Sequence, residues 1–129
     1  MSKDWYQDIV DFHEQVMEDN FSTYPHIPTI GYKGLRRILI CEEYSELLHE
    51  LAEDNLVGIA DGIADLIVVL LGTAVTYGID IRPVWDEVVK ANSLKASGPT
   101  RSDGKKLKPA GWVHPDISKL LKAQAWEGD

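Results

Sequence analysis

Apolar residues recur at helical spacing along most of the chain. Trp5, Ile9, Phe12 and Val16 fall at i, i+4, i+7 and i+11, which predicts an amphipathic helix over about residues 3–19. The stretch FSTYPHIPTIGYKG, residues 21–34, holds two prolines and two glycines and predicts a loop. A second helix is expected over about residues 35–54 and a third over 56–77, broken by YGID. Pro83 marks the first turn of a fourth helix that runs to about residue 92. SLKASGPTRSDGKKLKPAGWVHP then reads as an extended, turn-rich connector, and a last short helix is expected over 117–125. Strand-like alternation is almost absent, and there is no internal repeat. The expected fold is all-α, a helical bundle of four to five helices. It forms one domain over residues 1–129, with a basic loop at about 93–116.

The third helix, NLVGIADGIADLIVVLLGTAVTYGI with its flanks, is apolar nearly all round and should be buried on most sides. One small chain can hardly wrap it, so a homodimer, or a homotetramer built from dimers, is expected to complete the bundle. Gly58, Gly62 and Gly72 fall near one stripe and would let a neighbouring helix approach closely. The helix is long enough to cross a membrane, but Asp61 and Asp65 interrupt it early and leave a short apolar core at 66–75. A buried helix, and no membrane partner, is the expectation. The N-terminal MSKDWYQDIVDFHEQV alternates charged and apolar residues and does not read as a signal peptide.

On the second helix, Ile40, Cys41, Tyr44, Leu47, Leu48 and Leu51 form the expected core face. Glu43, Glu46 and Glu50 form an acidic stripe, with Glu42 and Glu53 at its edge. Glu42–Glu46 and Glu46–Glu50 are like-charge i, i+4 pairs, each destabilising an isolated helix by about 0.2–0.5 kcal/mol. No Lys or Arg sits three or four residues from Glu42, Glu43, Glu46 or Glu50. Asp61 and Asp65 repeat the pattern inside the apolar helix, where an unpaired carboxylate is costly. A divalent cation between the two helices resolves both anomalies, because hard cations such as Mg²⁺ take oxygen ligands. Glu46-Leu47-Leu48-His49 also matches the Glu-x-x-His element of di-iron bundles. That architecture needs two such elements, and the third helix offers no histidine.

The net charge of −8 is unevenly placed. Residues 1–89 are strongly acidic, whereas residues 90–122 hold eight basic and two acidic residues. An acidic body argues against a nucleic-acid polymer as partner. A basic segment joined to an acidic site suits a small phosphate-bearing ligand held partly through metal. The lone Cys41 cannot form an internal disulfide and suits a reducing, cytoplasmic compartment.

Glu43-x-x-Glu46, an acidic pair in the next helix, NSLK, and a Lys/Gly-rich C-terminal segment together resemble the all-α nucleoside triphosphate pyrophosphohydrolases. That superfamily includes MazG, dimeric dUTPases and phosphoribosyl-ATP pyrophosphohydrolase. DFHE, ICEEYSELLHEL, DGIADLIVVLLGTAVTYGID and DGKKLKPAGW are similar to its short MazG-like and phosphoribosyl-ATP pyrophosphohydrolase-like members. The family pattern is Glu-x-x-Glu, a spacer, then Glu-x-x-Asp. With Asp65 as the final Asp, the preceding Glu aligns with Gly62, and Asp61 is the expected replacement.

The resemblance implies that Glu43, Glu46, Asp61 and Asp65 hold Mg²⁺, with Mn²⁺ as the alternative ion. Glu42 or Glu46 would accept a proton from the attacking water. Attack at the α-phosphorus of a nucleoside triphosphate would release a monophosphate and pyrophosphate. Lys95, Arg101, Lys105 and Lys108 are candidates to neutralise the outer phosphates, and Asn92 is a candidate nucleotide contact. Trp112 is either a stacking surface or a packing anchor. Two alternatives stand beside this reading: phosphoribosyl-ATP as substrate, and a non-catalytic helical dimer that binds nucleotide or metal as a regulator.

Overall fold

The computed structural model describes residues 4–17 and 21–128. Five α-helices appear among them: α1 (Trp5–Gln15), α2 (Ile30–Ala52), α3 (Leu56–Thr76), α4 (Ile81–Ser93) and α5 (Ile117–Ala123). A 3₁₀ turn, Leu94–Ser97, continues α4, and an isolated bridge pairs Thr100 with Lys106. The fold is the all-helical one expected. Asp or Asn side chains open four of the helices by accepting a backbone N–H of the first turn. Asp4 takes that of Gln7 at 3.0 Å, Asn55 that of Gly58 at 3.2 Å, Asp80 that of Arg82 at 3.1 Å and Asp116 that of Lys119 at 3.1 Å.

Two boundaries differ from expectation. The loop predicted through residue 34 stops at Thr29, and α2 begins at Ile30 with Gly31 and Gly34 inside it. Glycine lowers helix propensity by only about 1 kcal/mol, so a long, packed helix absorbs both. The first helix ends at Gln15 rather than near residue 19, and residues 18–20 lie outside the described residues. Its inward face is also rotated. His13 is buried and Tyr6, Ile9 and Val10 are half-buried, whereas Trp5, Phe12 and Val16 of the predicted stripe are exposed.

α2 and α3 form an antiparallel hairpin across the three-residue turn 53–55, where Asp54 takes φ +53°. All three glycines of α3 lie in its seam. A Cβ at position 58 would collide with the Glu50 carboxylate, and one at 62 would press on Leu47. One at position 72 would meet the Arg36 guanidinium and the His13 ring. The close approach expected of the glycine stripe is therefore present. Arg36, 7% exposed, donates from Nη2 to the Val69 carbonyl at 2.8 Å and from Nε to Thr73 Oγ1 at 3.1 Å.

The remaining elements gather at the other end of the hairpin. α1 packs on α3. Arg82 ties the two N-caps together, reaching Asp4 at 2.7 Å and Asp80 at 2.8 Å while lying over the Tyr6 ring. Gln124 accepts from the Asp80 N–H and donates to its carbonyl, both at 2.8 Å, which docks the end of α5. Gly78, at φ +68°, lets the carbonyls of Ser22 and Tyr24 cross the end of α3 closer than any side chain would allow.

α3 is covered unevenly along its length: from Leu71 to Thr76 every residue is buried or half-buried, where His13 of α1 and Arg36 of α2 both reach Gly72, whereas its earlier turns are covered on one side. Its glycine stripe faces α2, while Leu56 and Val57 are 78% and 81% exposed and Ile63 and Leu70 are nearly half exposed. Of the predicted core face of α2, Ile40 and Leu47 are half-buried, but Cys41, Tyr44, Leu48 and Leu51 are exposed. Ala74 and Ala91 are the buried members of the hydrophobic core among the described residues. By length and composition α3 could cross a membrane. It carries Asp61 and Asp65 and packs against both α1 and α2.

Candidate active site

The antiparallel register that sets Leu47 on Gly62 also sets the acids of α2 beside those of α3. At one level Glu43 meets Asp65, with Glu42 and Glu46 near. Burial, and then the charges of Glu46, Asp65 and Glu42, push the Glu43 carboxyl above the ordinary glutamate range. Its Oε2 is sealed from solvent and has no hydrogen-bond partner. One turn along, a cleft of about 330 Å³ opens between Glu46, His49 and Glu50 of α2 and Gly58, Asp61 and Gly62 of α3. Glu46 belongs to both levels.

Among the described residues no ion pair reaches Glu42, Glu43, Glu46, Asp61 or Asp65. Glu50 has a local explanation: its carboxylate lies over Gly58 in the first turn of α3, where the helix dipole favours negative charge. The other acids have none. Also among the described residues, no three of His, Cys, Asp and Glu stand close enough to cage a metal by themselves. Gly62 points into the seam while Asp61 lines the cleft, so the acid one residue earlier is the one presented.

The basic candidates separate into two kinds. Arg101 is held by Asp103 through two hydrogen bonds, at 2.8 and 2.6 Å, within the turn that Thr100 and Lys106 close. Lys105 is exposed in the same turn, its N–H donated to Asp103 at 3.3 Å. Lys95 and Lys108 instead converge on Trp112, 5.0 and 5.2 Å from the ring centre. Trp112 donates its indole N–H to the Ala91 carbonyl at 2.7 Å, so it anchors the segment to α4. Asn92 is exposed next to that carbonyl. None of these residues lines the acidic cleft within the single chain.

Sequence reasoning passed over two residues here. Arg36 lies seven before Glu43 and four before Ile40, so the helical wheel already put it on the buried face. His114 lies two residues from Trp112 and carried no motif signal; the structure sets its ring edge-on to the indole.

The chain shares the all-helical fold of a class, the MazG-like all-α nucleotide pyrophosphohydrolases, and the family match places it there. Within it, residues 10–92 match the phosphoribosyl-ATP pyrophosphohydrolase family, and the chain belongs to that family. It is accordingly a pyrophosphohydrolase, acting on phosphoric anhydride bonds. No curated protein matches the chain significantly. The family match runs from α1 to the end of α4 and stops before Lys95.

Proposed function

We propose that this chain is a Mg²⁺-dependent nucleoside triphosphate pyrophosphohydrolase that cuts between the α- and β-phosphates, giving a monophosphate and pyrophosphate. The observation that carries the reading is Glu43: a sealed carboxylate oxygen without a hydrogen-bond partner among three further acids, with no cation among the described residues paired to it. Glu43, Glu46, Asp61 and Asp65 would hold the metal. Their donors are all oxygens, which suits Mg²⁺ and also Mn²⁺. Two short acidic levels, rather than one closed cage, fit an ion that keeps several waters and uses one or two carboxylates with substrate phosphates.

When bound, the ion supplies charge neutralisation at the phosphates and acidifies a water. Glu46, exposed at the cleft, and Glu42, exposed beside Glu43, are the residues positioned to take that water's proton. The exposed apolar face of Tyr44, Leu48, Leu51, Ile63 and Leu70 supports a homodimer or homotetramer, measurable by light scattering. A cytoplasmic enzyme fits the lone cysteine.

The family's name favours phosphoribosyl-ATP as the substrate, and that reading suits the same site equally well. The test is a panel of ribo- and deoxynucleoside triphosphates together with phosphoribosyl-ATP, with and without Mg²⁺, products resolved chromatographically. Monophosphate product plus pyrophosphate, only with metal, is expected, and the fastest substrate decides between the two readings. Release of orthophosphate, or equal turnover in EDTA, would overturn the proposal.

A further inference from the structure

We infer that the groove between the starts of α1 and α4 binds a small apolar cation, a quaternary or alkylated ammonium group on an apolar body. The groove measures about 840 Å³, within the size range of small-molecule sites. α3 lines it with Ile67 and Leu71, α4 with Ile81 and Trp85, and α1 with Trp5. The order of residues explains the convergence. Trp5 follows Asp4, the N-cap of α1, and Trp85 lies one turn beyond Arg82 on α4; the Arg82–Asp4 ion pair at 2.7 Å draws the two helix starts together. Ile67 and Leu71, four residues apart, share a face of α3. Trp5 and Trp85 are 60% and 66% exposed. Scattered exposed apolar residues are ordinary. Two tryptophans on one apolar groove are a concentrated surface of the kind that ligands use.

Charge decides the class of ligand. Asp4, Arg82 and Asp86 line the groove, and Asp80 holds Arg82 at 2.8 Å, so three carboxylates stand against one guanidinium. Arg82 is already engaged by Asp4, Asp80 and the Tyr6 ring. Asp86 has no ion pair among the described residues. The N-terminal dipoles of α1 and α4 would draw an anion, but the Asp4 and Asp80 carboxylates already cap those ends. An anion therefore meets an occupied guanidinium and a bare carboxylate. A cation meets that carboxylate and two indole faces, the side chains that attract cations most strongly. A plain ammonium holds its water tightly. An alkylated one is weakly hydrated and gains by covering Ile67 and Leu71 with its methyl groups.

The groove shares no lining residue with the acidic cleft between α2 and α3, and its ligand does not depend on the proposed reaction.

The test is NMR titration of the ¹⁵N-labelled full chain with benzyltrimethylammonium, following the four indole N–H resonances. Benzyl alcohol and benzenesulfonate are the controls, an aromatic body without charge and with negative charge. Saturable movement of the Trp5 and Trp85 indoles is expected, with Trp112 and Trp126 unmoved. The cation should bind at least about five-fold more tightly than either control. Trp85→Leu should weaken it by about three-fold or more, and Asp86→Asn by about two-fold or more while leaving benzyl alcohol unaffected. Both side chains are exposed, so both variants should fold; Trp5→Leu replaces Trp85→Leu if thermal unfolding shows otherwise. Absence of saturable binding, movement of Trp112 or Trp126 alone, a control as tight as the cation, or unchanged affinity in either variant would overturn the inference. If the cation fails to bind and Trp85→Leu lowers the assembly mass in light scattering, the groove is a contact between copies of the chain instead.

Discussion

Leu47 and Gly62 meet at the crossing of α2 and α3, where a Cβ at position 62 would stand 3.3 Å from Leu47 Cδ1 and 3.4 Å from its Cα. The contact to Cα is at ordinary van der Waals distance, and Leu47 Cδ1, the end of a flexible side chain, can give the few tenths of an ångström that a methyl group needs. Ala at this position gains about 0.5–1 kcal/mol of helix propensity. Gly62→Ala should therefore leave stability unchanged or raise it by up to about 1 kcal/mol. Gly62→Glu, which writes the family's Glu-x-x-Asp into this chain, should cost about 3 kcal/mol or more and add no activity, because the new carboxylate enters the seam. Denaturant unfolding of both variants, with turnover measured alongside, checks this; a stable and more active Gly62→Glu would show that Asp61 is not the replacement.

Asp65 faces Glu43, and its removal separates chemistry from folding. Asp65→Ala should cut Mg²⁺-dependent turnover by about 10²-fold or more. In EDTA its Tm should be no lower than that of the parent, since a repelling charge has gone. Full activity in the variant would mean that the metal assignment is wrong.

The raised pKa of Glu43 has a definite sign in pH-dependent stability. A carboxyl that ionises at higher pH when folded than when unfolded favours the folded state at low pH, and that advantage fades as pH rises through its folded value. Glu43→Gln should accordingly raise the Tm of the metal-free protein at pH 7 by roughly 1–3 °C, and by less at pH 4. It should also blunt any Tm increase on adding Mg²⁺. Thermal scans across pH, with EDTA or Mg²⁺, are the measurement.

Arg82 works in the opposite direction. Hydrogen bonds hold the Asp4 and Asp80 carboxyls below the ordinary aspartate range, from the Gln7 N–H and Arg82 at Asp4 and from Arg82 at Asp80. Depressed carboxyls contribute stability that is present above their unfolded pKa and is lost as pH falls through the folded one. Because all three side chains are more than a third exposed, the effect is modest. Arg82→Ala should lower Tm by about 2–4 °C at pH 7, and the difference should shrink toward pH 2. A difference that persists at the lowest pH would point to lost packing on Tyr6 instead.

Helix existence and order were legible because apolar spacing is strong in 5–16, 39–51 and 56–76. The start of α2 was not, since two glycines in 21–34 argue locally for a loop while a long packed helix tolerates them. The acidic seam was legible from its missing countercharges: Glu43, Glu46, Asp61 and Asp65 have no Lys or Arg at helical spacing. Burial was less legible. A wheel says which residues share a face, and it placed Cys41, Tyr44, Leu48 and Leu51 together correctly; it does not say whether one chain covers that face. The fate of the basic segment could not be read at all. Arg101, Lys105, Lys95 and Lys108 are equivalent charges in a sequence, and only the fold gives Arg101 to Asp103 and the two lysines to Trp112.

The segment around residues 98–107 is closed at its own base: the Leu107 N–H bonds to the Pro99 carbonyl at 2.7 Å, and Gly98 admits the Leu107 carbonyl where a side chain would not fit. Its two ends leave and return at one point, so its tip at Asp103–Gly104 can lengthen, shorten or be exchanged at small entropic cost. Such a segment is a replaceable cassette. Its sequence can be rewritten with the acid-bearing hairpin left as it is.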